Sequence, residues 1–197
     1  ISDAAILEFD FIPTGDTLRF RYVFGSEEYP EYVCDIFNDA FGFFLSGPGI
    51  NGPFSNNAKN IALIPSTTVP ITINTVNSGS PGGFNDATTC ASADPNWVNN
   101  SIYYVDNGTG TTVVYDGFTT VLTAFSLVEC GQLYHIKLAI GDGGDSSFDS
   151  AVFLEAGSFT SAGEVTATLT GGTGLNGTDL VEGCGPWDFV FTRVGEL

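Results

Sequence analysis

The sequence predicts an all-β fold, a two-sheet antiparallel sandwich or jelly roll with long loops and little helix. Three observations predict it. Apolar and polar residues alternate with period two in segment after segment. Gly, Pro, Asn and Asp punctuate nearly every gap, at the spacing such a sandwich requires. Helical rhythm is confined to "SEEYPEYVCDIFNDAF", where Pro30 interrupts it, so an elaborated loop with at most one helical turn is expected there.

Taken in order, "AILEFDFIP" sets Ile6, Glu8, Asp10 and Ile12 opposite Leu7, Phe9 and Phe11. "DTLRFRYVFGS" sets Leu18, Phe20, Tyr22 and Phe24 opposite Arg19, Arg21 and Val23, and the intervening "TGD" predicts that these two strands form a hairpin. Further strands are expected at "AFGFFLSG", "NIALIP", "VPITINTVN", "SIYYVD", "TVVYDG", "LTAFSLV", "LYHIKLAIGD", "SAVFLEAGSF", "EVTATLTG" and "WDFVFTRV". Residues 77–101 are too long and too polar for an ordinary hairpin loop; Cys90 offers a tie. Residues 1–160 form one expected domain. Residues 161–197 are too few for a core of their own, and either complete the sandwich or start an Ig-like repeat.

With 197 residues, 43% of them hydrophobic and 17 of them Phe, the chain can bury a sizeable core. Only 14% are charged, against about 25% in an average domain, so Ser, Thr, Asn and Gly must supply most of the surface. Five basic residues against 23 acidic ones leave a net charge of −18. That balance excludes a phosphate-tracking groove, and with it nucleic acid as a partner. It also disfavours anionic membranes unless a cation bridges, and no apolar run is long enough to insert into one. Such uncompensated acid suits an extracellular, calcium-loaded domain. The chain opens at Ile1 without a signal-peptide pattern, which reads as a processed or excised piece of a secreted protein. Cys34, Cys90, Cys130 and Cys184 form no zinc motif. They fit two disulfides in an oxidising compartment, with three connectivities open; buried free thiols are the alternative.

Six segments together resemble one family: "LEFDFIPTGDTLRFRYVFGSEEYPEYV", "FNDAFGFFLSGPG", "NIALIP", "VPITINTVN", "YDGFTTVLTA" and "YHIKLAIGDGGDSSFDSAVFLEAGSF". Over residues 3–159, and in consistent order, the chain resembles the choice-of-anchor L domain of large secreted and cell-surface proteins of Bacteroidetes and related bacteria. The resemblance implies a surface location and an adhesive or ligand-binding role, with no catalytic activity attached.

Acidic oxygen clusters in two turns. "GDGGDSSFDS" holds Asp142, Asp145 and Asp149 among glycines; the other cluster comprises Glu27, Glu28 and Glu31 with Asp35, Asn38 and Asp39. Calcium takes six to eight oxygens from such loops, although neither cluster is an EF-hand. "SEEY", "FND" and the acids before "DSAVFLE" recur in the resembled family. Glu28, Asp39, Asp142, Asp145 and Asp149 are accordingly the expected Ca2+ ligands, against the alternative that they cap turns and face water. For a glycan or peptide ligand the long loop offers Asn85, Asp86, Trp97 and Asn99, with Asp94, Asn96 and Asn100 beside them and Tyr103 and Tyr104 following. Trp97 is expected either to stack on a sugar or to plug the sandwich end.

Catalytic motifs are weak. The only histidine, His135, shares a strand face with Lys137 and has no GxSxG elbow. A glycanase-like Glu-x-Asp-x-x-Glu at Glu8 and Asp10 is broken by Pro13. A filament subunit donating "WDFVFTRV" to a neighbour's sheet is the structural alternative. Sequons at Asn99, Asn107 and Asn176 fit exposed loops.

Overall fold

The computed structural model describes residues 2–83, 85–111, 113–144 and 147–161, followed by the backbone of four short strands between residues 164 and 194. In chain order the elements are β1 (Ser2–Phe11), β2 (Thr17–Ser26), β3 (Ala40–Ser46), β4 (Lys59–Asn60), α1 (Thr88–Ala93), β5 (Tyr104–Asp106), β6 (Gly117–Thr119), β7 (Leu122–Leu127), β8 (Tyr134–Asp142) and β9 (Ser150–Leu154). After them β10 (Glu164–Thr170) pairs with β13 (Asp188–Val194), and β11 (Leu175–Asn176) with β12 (Asp179–Leu180).

Alternation dictates two antiparallel sheets. One runs β1-β8-β3-β4; the other runs β5-β6-β2-β7, with β9 also paired to β2. On β2, Leu18, Phe20, Tyr22 and Phe24 are each 3% exposed or less. Phe41, Phe43 and Leu45 of β3 and Tyr134, Ile136 and Leu138 of β8 face them from the other sheet. Rings interlock across the layer: Phe20–Phe43, Tyr22–Phe43 and Phe24–Phe41 have centroids 5.0, 4.8 and 4.9 Å apart. Such pairs add stabilisation to the burial of area itself.

The expected β1–β2 hairpin does not form. β1 pairs with β8, placing Glu8 opposite Lys137 and Asp10 opposite His135, while β2 pairs with β6, β7 and β9. Residues 12–16 are therefore a corner between sheets. A short Gly-Asp turn serves as readily for a corner between sheets as for a hairpin, so the turn alone does not name the partner strand.

Two further strand expectations are corrected. "NIALIP" contributes β4 and an isolated bridge from Leu63 to Pro70. "VPITINTVN" joins the sheets only at a bridge from Thr72 to Ala40 and is otherwise turns. Residues 71–77 are all buried, and side chains replace the missing ladder: Asn74 Oδ1 accepts from Cys34 N–H at 2.7 Å and Thr75 Oγ1 from Thr72 N–H at 2.9 Å. The start of "SIYYVD" lies in a 3-10 helix, Trp97–Tyr103, so only its end is strand. That helix and α1 give the long loop more helix than its sequence predicts.

Candidate metal centre and ligand surface

At one end of the sandwich three segments converge: the turn after β2, residues 35–39 before β3, and the β8–β9 loop. Backbone pairing brings them together. Ser26 lies opposite Ser150, and Ala40 opposite Gly141, so that Asp39 and Asp142 follow as the next facing positions. Asn38 N–H donates to Gly143 O at 3.0 Å, and Glu27 N–H to Asp149 O at 3.1 Å.

Asp39 is fully buried. Its Oδ1 accepts from Gly143 N–H at 3.0 Å and its Oδ2 from the Ser150 hydroxyl at 2.7 Å, stitching both ends of the β8–β9 loop to β3. Gly143 is required here, since a Cβ would lie 2.4 Å from Asn38 O. Glu28 is 1% exposed and Asp142 4%; Glu28 N–H donates to Ser26 Oγ at 3.0 Å. Asp149 is exposed, and its N–H donates to Glu27 Oε2 at 3.2 Å. Asp145 lies outside the described residues.

Beside this end Tyr29 is buried; burial first, then the Tyr104 and Asp39 charges, raise its phenol pKa well above the ordinary value. Sequence reasoning missed Ser150 and Ser26, whose hydroxyls hold the acidic segments; their only signal is that they flank strands beside the acids. Oxygen is the only donor these segments offer, which suits a hard cation such as calcium rather than zinc. Among the described residues, however, no three His, Cys, Asp or Glu side chains converge to hold a metal by themselves.

A disulfide ties the long loop to this end. Cys34 and Cys90 are bonded across 56 residues, with Cα atoms 4.9 Å apart. Cys130 is exposed and has no disulfide partner among the described residues; Cys184 lies outside them.

The loop residues expected to meet a ligand separate into two groups. Asp86 and Asn99 are exposed, and Asp86 Oδ1 accepts from Thr88 N–H at 2.7 Å. Asn85 is half-buried and donates to Val33 O at 3.2 Å, while Tyr103 packs on the core. Trp97 is 5% exposed within the core cluster, so as a sugar-stacking face it is corrected: its ring is the plug. Asp94 and Asn100 are also buried, joined by Asn100 Nδ2 donating to Asp94 Oδ2 at 2.8 Å.

His135 sits on the outer face of the β1-β8-β3-β4 sheet. Its Nδ1 lies 2.7 Å from Asp10 Oδ1, and Lys137 Nζ lies 3.7 Å from Glu8 Oε2. Among the described residues no helix is long and apolar enough to cross a membrane.

Neither a curated protein nor a solved structure matches the chain. A family description does: the choice-of-anchor L domain, over residues 1–160. The all-β sandwich therefore belongs to the choice-of-anchor L domain family, which implies a secreted or cell-surface bacterial protein.

Proposed function

We propose that this domain is a calcium-stabilised extracellular module that binds a glycan or peptide ligand for adhesion. The observation that carries the calcium reading is the burial of Glu28, Asp39 and Asp142, each 4% exposed or less, on segments joined at one end of the sandwich. Carboxylates taken out of water need compensating charge and hydrogen bonds. Gly143 N–H and the Ser150 hydroxyl give Asp39 two of its hydrogen bonds. Glu28 and Asp142 would hold the ion, Asp145 and Asp149 would contribute from the loop, and Asp39 would keep the loop in place. Bound calcium would add positive charge beside these buried carboxylates. Placement on an extracellular surface follows the family and accords with the Cys34–Cys90 disulfide.

Calorimetric titration of calcium into EDTA-stripped protein tests this directly. Saturable binding near 1 mM or tighter is expected, the range of extracellular calcium modules. Asp142→Asn should weaken it about tenfold or more, by removing one ligand charge. Absence of binding by the wild-type protein at millimolar calcium would overturn the metal reading.

A further inference from the structure

The outer face of the β1-β8-β3-β4 sheet carries a groove with a different chemistry from the acidic end. Cross-strand register lays its floor in rows: Asp10, His135 and Ser46 across one, Glu8, Lys137 and Phe44 across the next. The third row is Ile6, Ala139 and Gly42. A Cβ on Gly42 would lie 2.5 Å from the Phe44 ring, so that ring lies down on the sheet over the glycine. Phe54, 46% exposed, stands against it with centroids 4.8 Å apart and planes at 68°.

The wall that holds Phe54 is stiffened by its own backbone. Gly52 N–H donates to Asn57 O at 2.7 Å, and Phe54 N–H to Ala58 O at 3.1 Å. Asn56, in the left-handed conformation at φ 59°, lines the groove between them. Asn60 Oδ1 accepts from both Phe43 N–H at 2.9 Å and Ala62 N–H at 3.0 Å, fixing the loop's exit to β3. Two adjoining cavities of about 310 and 260 Å³ share Ser46, Asn56 and His135. The first falls at the low end of the ~300–1,000 Å³ usual for ligand sites and the second just below it.

We propose that this groove is a binding site for a neutral oligosaccharide. The inference rests on the ligand-binding reading above but is independent of calcium, since the groove contains none of the proposed calcium ligands. An exposed ring beside fixed hydrogen-bonding groups suits a pyranose, with apolar C–H faces and hydroxyl edges. Phe54 and Phe44 take the sugar face. Asn56 and Ser46 bind hydroxyls, as do the ends of the His135–Asp10 and Lys137–Glu8 pairs. Glu8 and Asp10 face a single lysine, Lys137, so the groove offers no net positive charge, and with −18 on the whole chain a polyanionic sugar is repelled. Four strands at ~4.8 Å spacing span roughly 14 Å, which favours a chain of sugars over a single one.

The imidazole of His135, the only histidine, is an NMR reporter inside the groove. The probes are neutral hexaoses (β-1,3-glucan, β-1,4-glucan and β-1,4-mannan) and an oligogalacturonate as the charged control, each titrated to a few times about 1 mM. At least one neutral hexaose should shift the His135 signals saturably, with and without EDTA at a temperature where the fold is intact. Phe54→Ala should weaken that binding about tenfold with a melting temperature lowered by no more than a few degrees, and Phe54→Tyr should retain it. Asp86→Ala/Asn99→Ala, on the long loop, should have no effect. The inference is overturned if no neutral hexaose moves His135, if only oligogalacturonate does, or if Phe54→Ala binds normally. Loss of binding in the loop variant alone would overturn the groove and leave the ligand-binding reading standing. Calcium binding with no sugar binding would likewise sink the groove without touching the metal reading.

Discussion

The molecule treats carboxylates in two opposite ways. At the sandwich end Glu28, Asp39 and Asp142 are buried, on segments tied together by backbone N–H groups and a serine hydroxyl. On the outer sheet face Glu8 and Asp10 are more than half exposed and face Lys137 and His135 across β1 and β8. Water and nearby positive charge screen the second pair, so losing either member costs little. Burial amplifies every interaction of the first group, and makes it the place where charge and loop structure are coupled. The acid of this chain is thus one composition serving two purposes, loop fixation at the end and solvation on the face.

Mutations that break this contrast should rank in a definite order. The largest loss is expected from Cys34→Ser/Cys90→Ser. It frees the long loop from the acidic end by opening a 56-residue closure, worth about 4 kcal/mol in denaturant unfolding. Asp39→Ala comes next, at about 3 kcal/mol, because Gly143 N–H and the Ser150 hydroxyl lose a charged acceptor. Gly143→Ala should cost about 2 kcal/mol, since its methyl group must push Asn38 O away from 2.4 Å. Glu8→Ala, on the open face, should change stability by less than about 1 kcal/mol, and less again in high salt. Equal losses for Asp39→Ala and Glu8→Ala would erase the distinction.

Alkaline titration sharpens the same contrast with a different group. Burial raises the pKa of Tyr29 and Tyr22, and burial aided by nearby acids raises those of Tyr104 and Tyr115. A phenol whose folded pKa exceeds its unfolded value of about 10 stabilises the fold fully below that pH. That stability declines as the pH climbs from there toward the folded pKa. Tyrosinate absorbance should therefore appear in two phases, with the later one coinciding with loss of structure. A single phase near pH 10 with the fold intact would contradict the buried placement.

The core was legible because its signal is local. On β2 the alternation of Leu18, Phe20, Tyr22 and Phe24 against Arg19 and Arg21 names the buried face before any partner is known. β1 was half legible: it is a strand, but it lies at the sheet edge with Leu7 53% exposed, and its partner is β8, far along the chain, rather than the strand after the nearest turn. "VPITINTVN" misled because a segment buried on all sides needs apolar residues whether or not it joins a ladder. There Asn74 and Thr75 do the hydrogen bonding, and side-chain partners distant in sequence carry no period. Trp97 was ambiguous for a related reason. A polar loop can fold a tryptophan inward when its own buried polar groups, such as Asp94 and Asn100, satisfy one another.

The acidic end was legible in composition but not in arrangement. Asp39 and Asp142 are 103 positions apart, and only the β3–β8 register sets them at facing positions. The outer groove left a fainter trace. His135 and Lys137 share a parity on β8, and Glu8 and Asp10 share one on β1, but nothing local says that the two strands are neighbours. Phe44 following Gly42 at two residues becomes meaningful only once the ring is seen lying over the glycine.

The most direct test of the calcium reading is the melting temperature of the intact chain with calcium titrated against EDTA, using magnesium as the control. Calcium at about a hundredfold excess over its dissociation constant should raise it by roughly 5–10 °C, and Asp142→Asn should lose most of that rise. An identical melting temperature in calcium and in EDTA would contradict the account, leaving the buried carboxylates as purely structural hydrogen-bond acceptors.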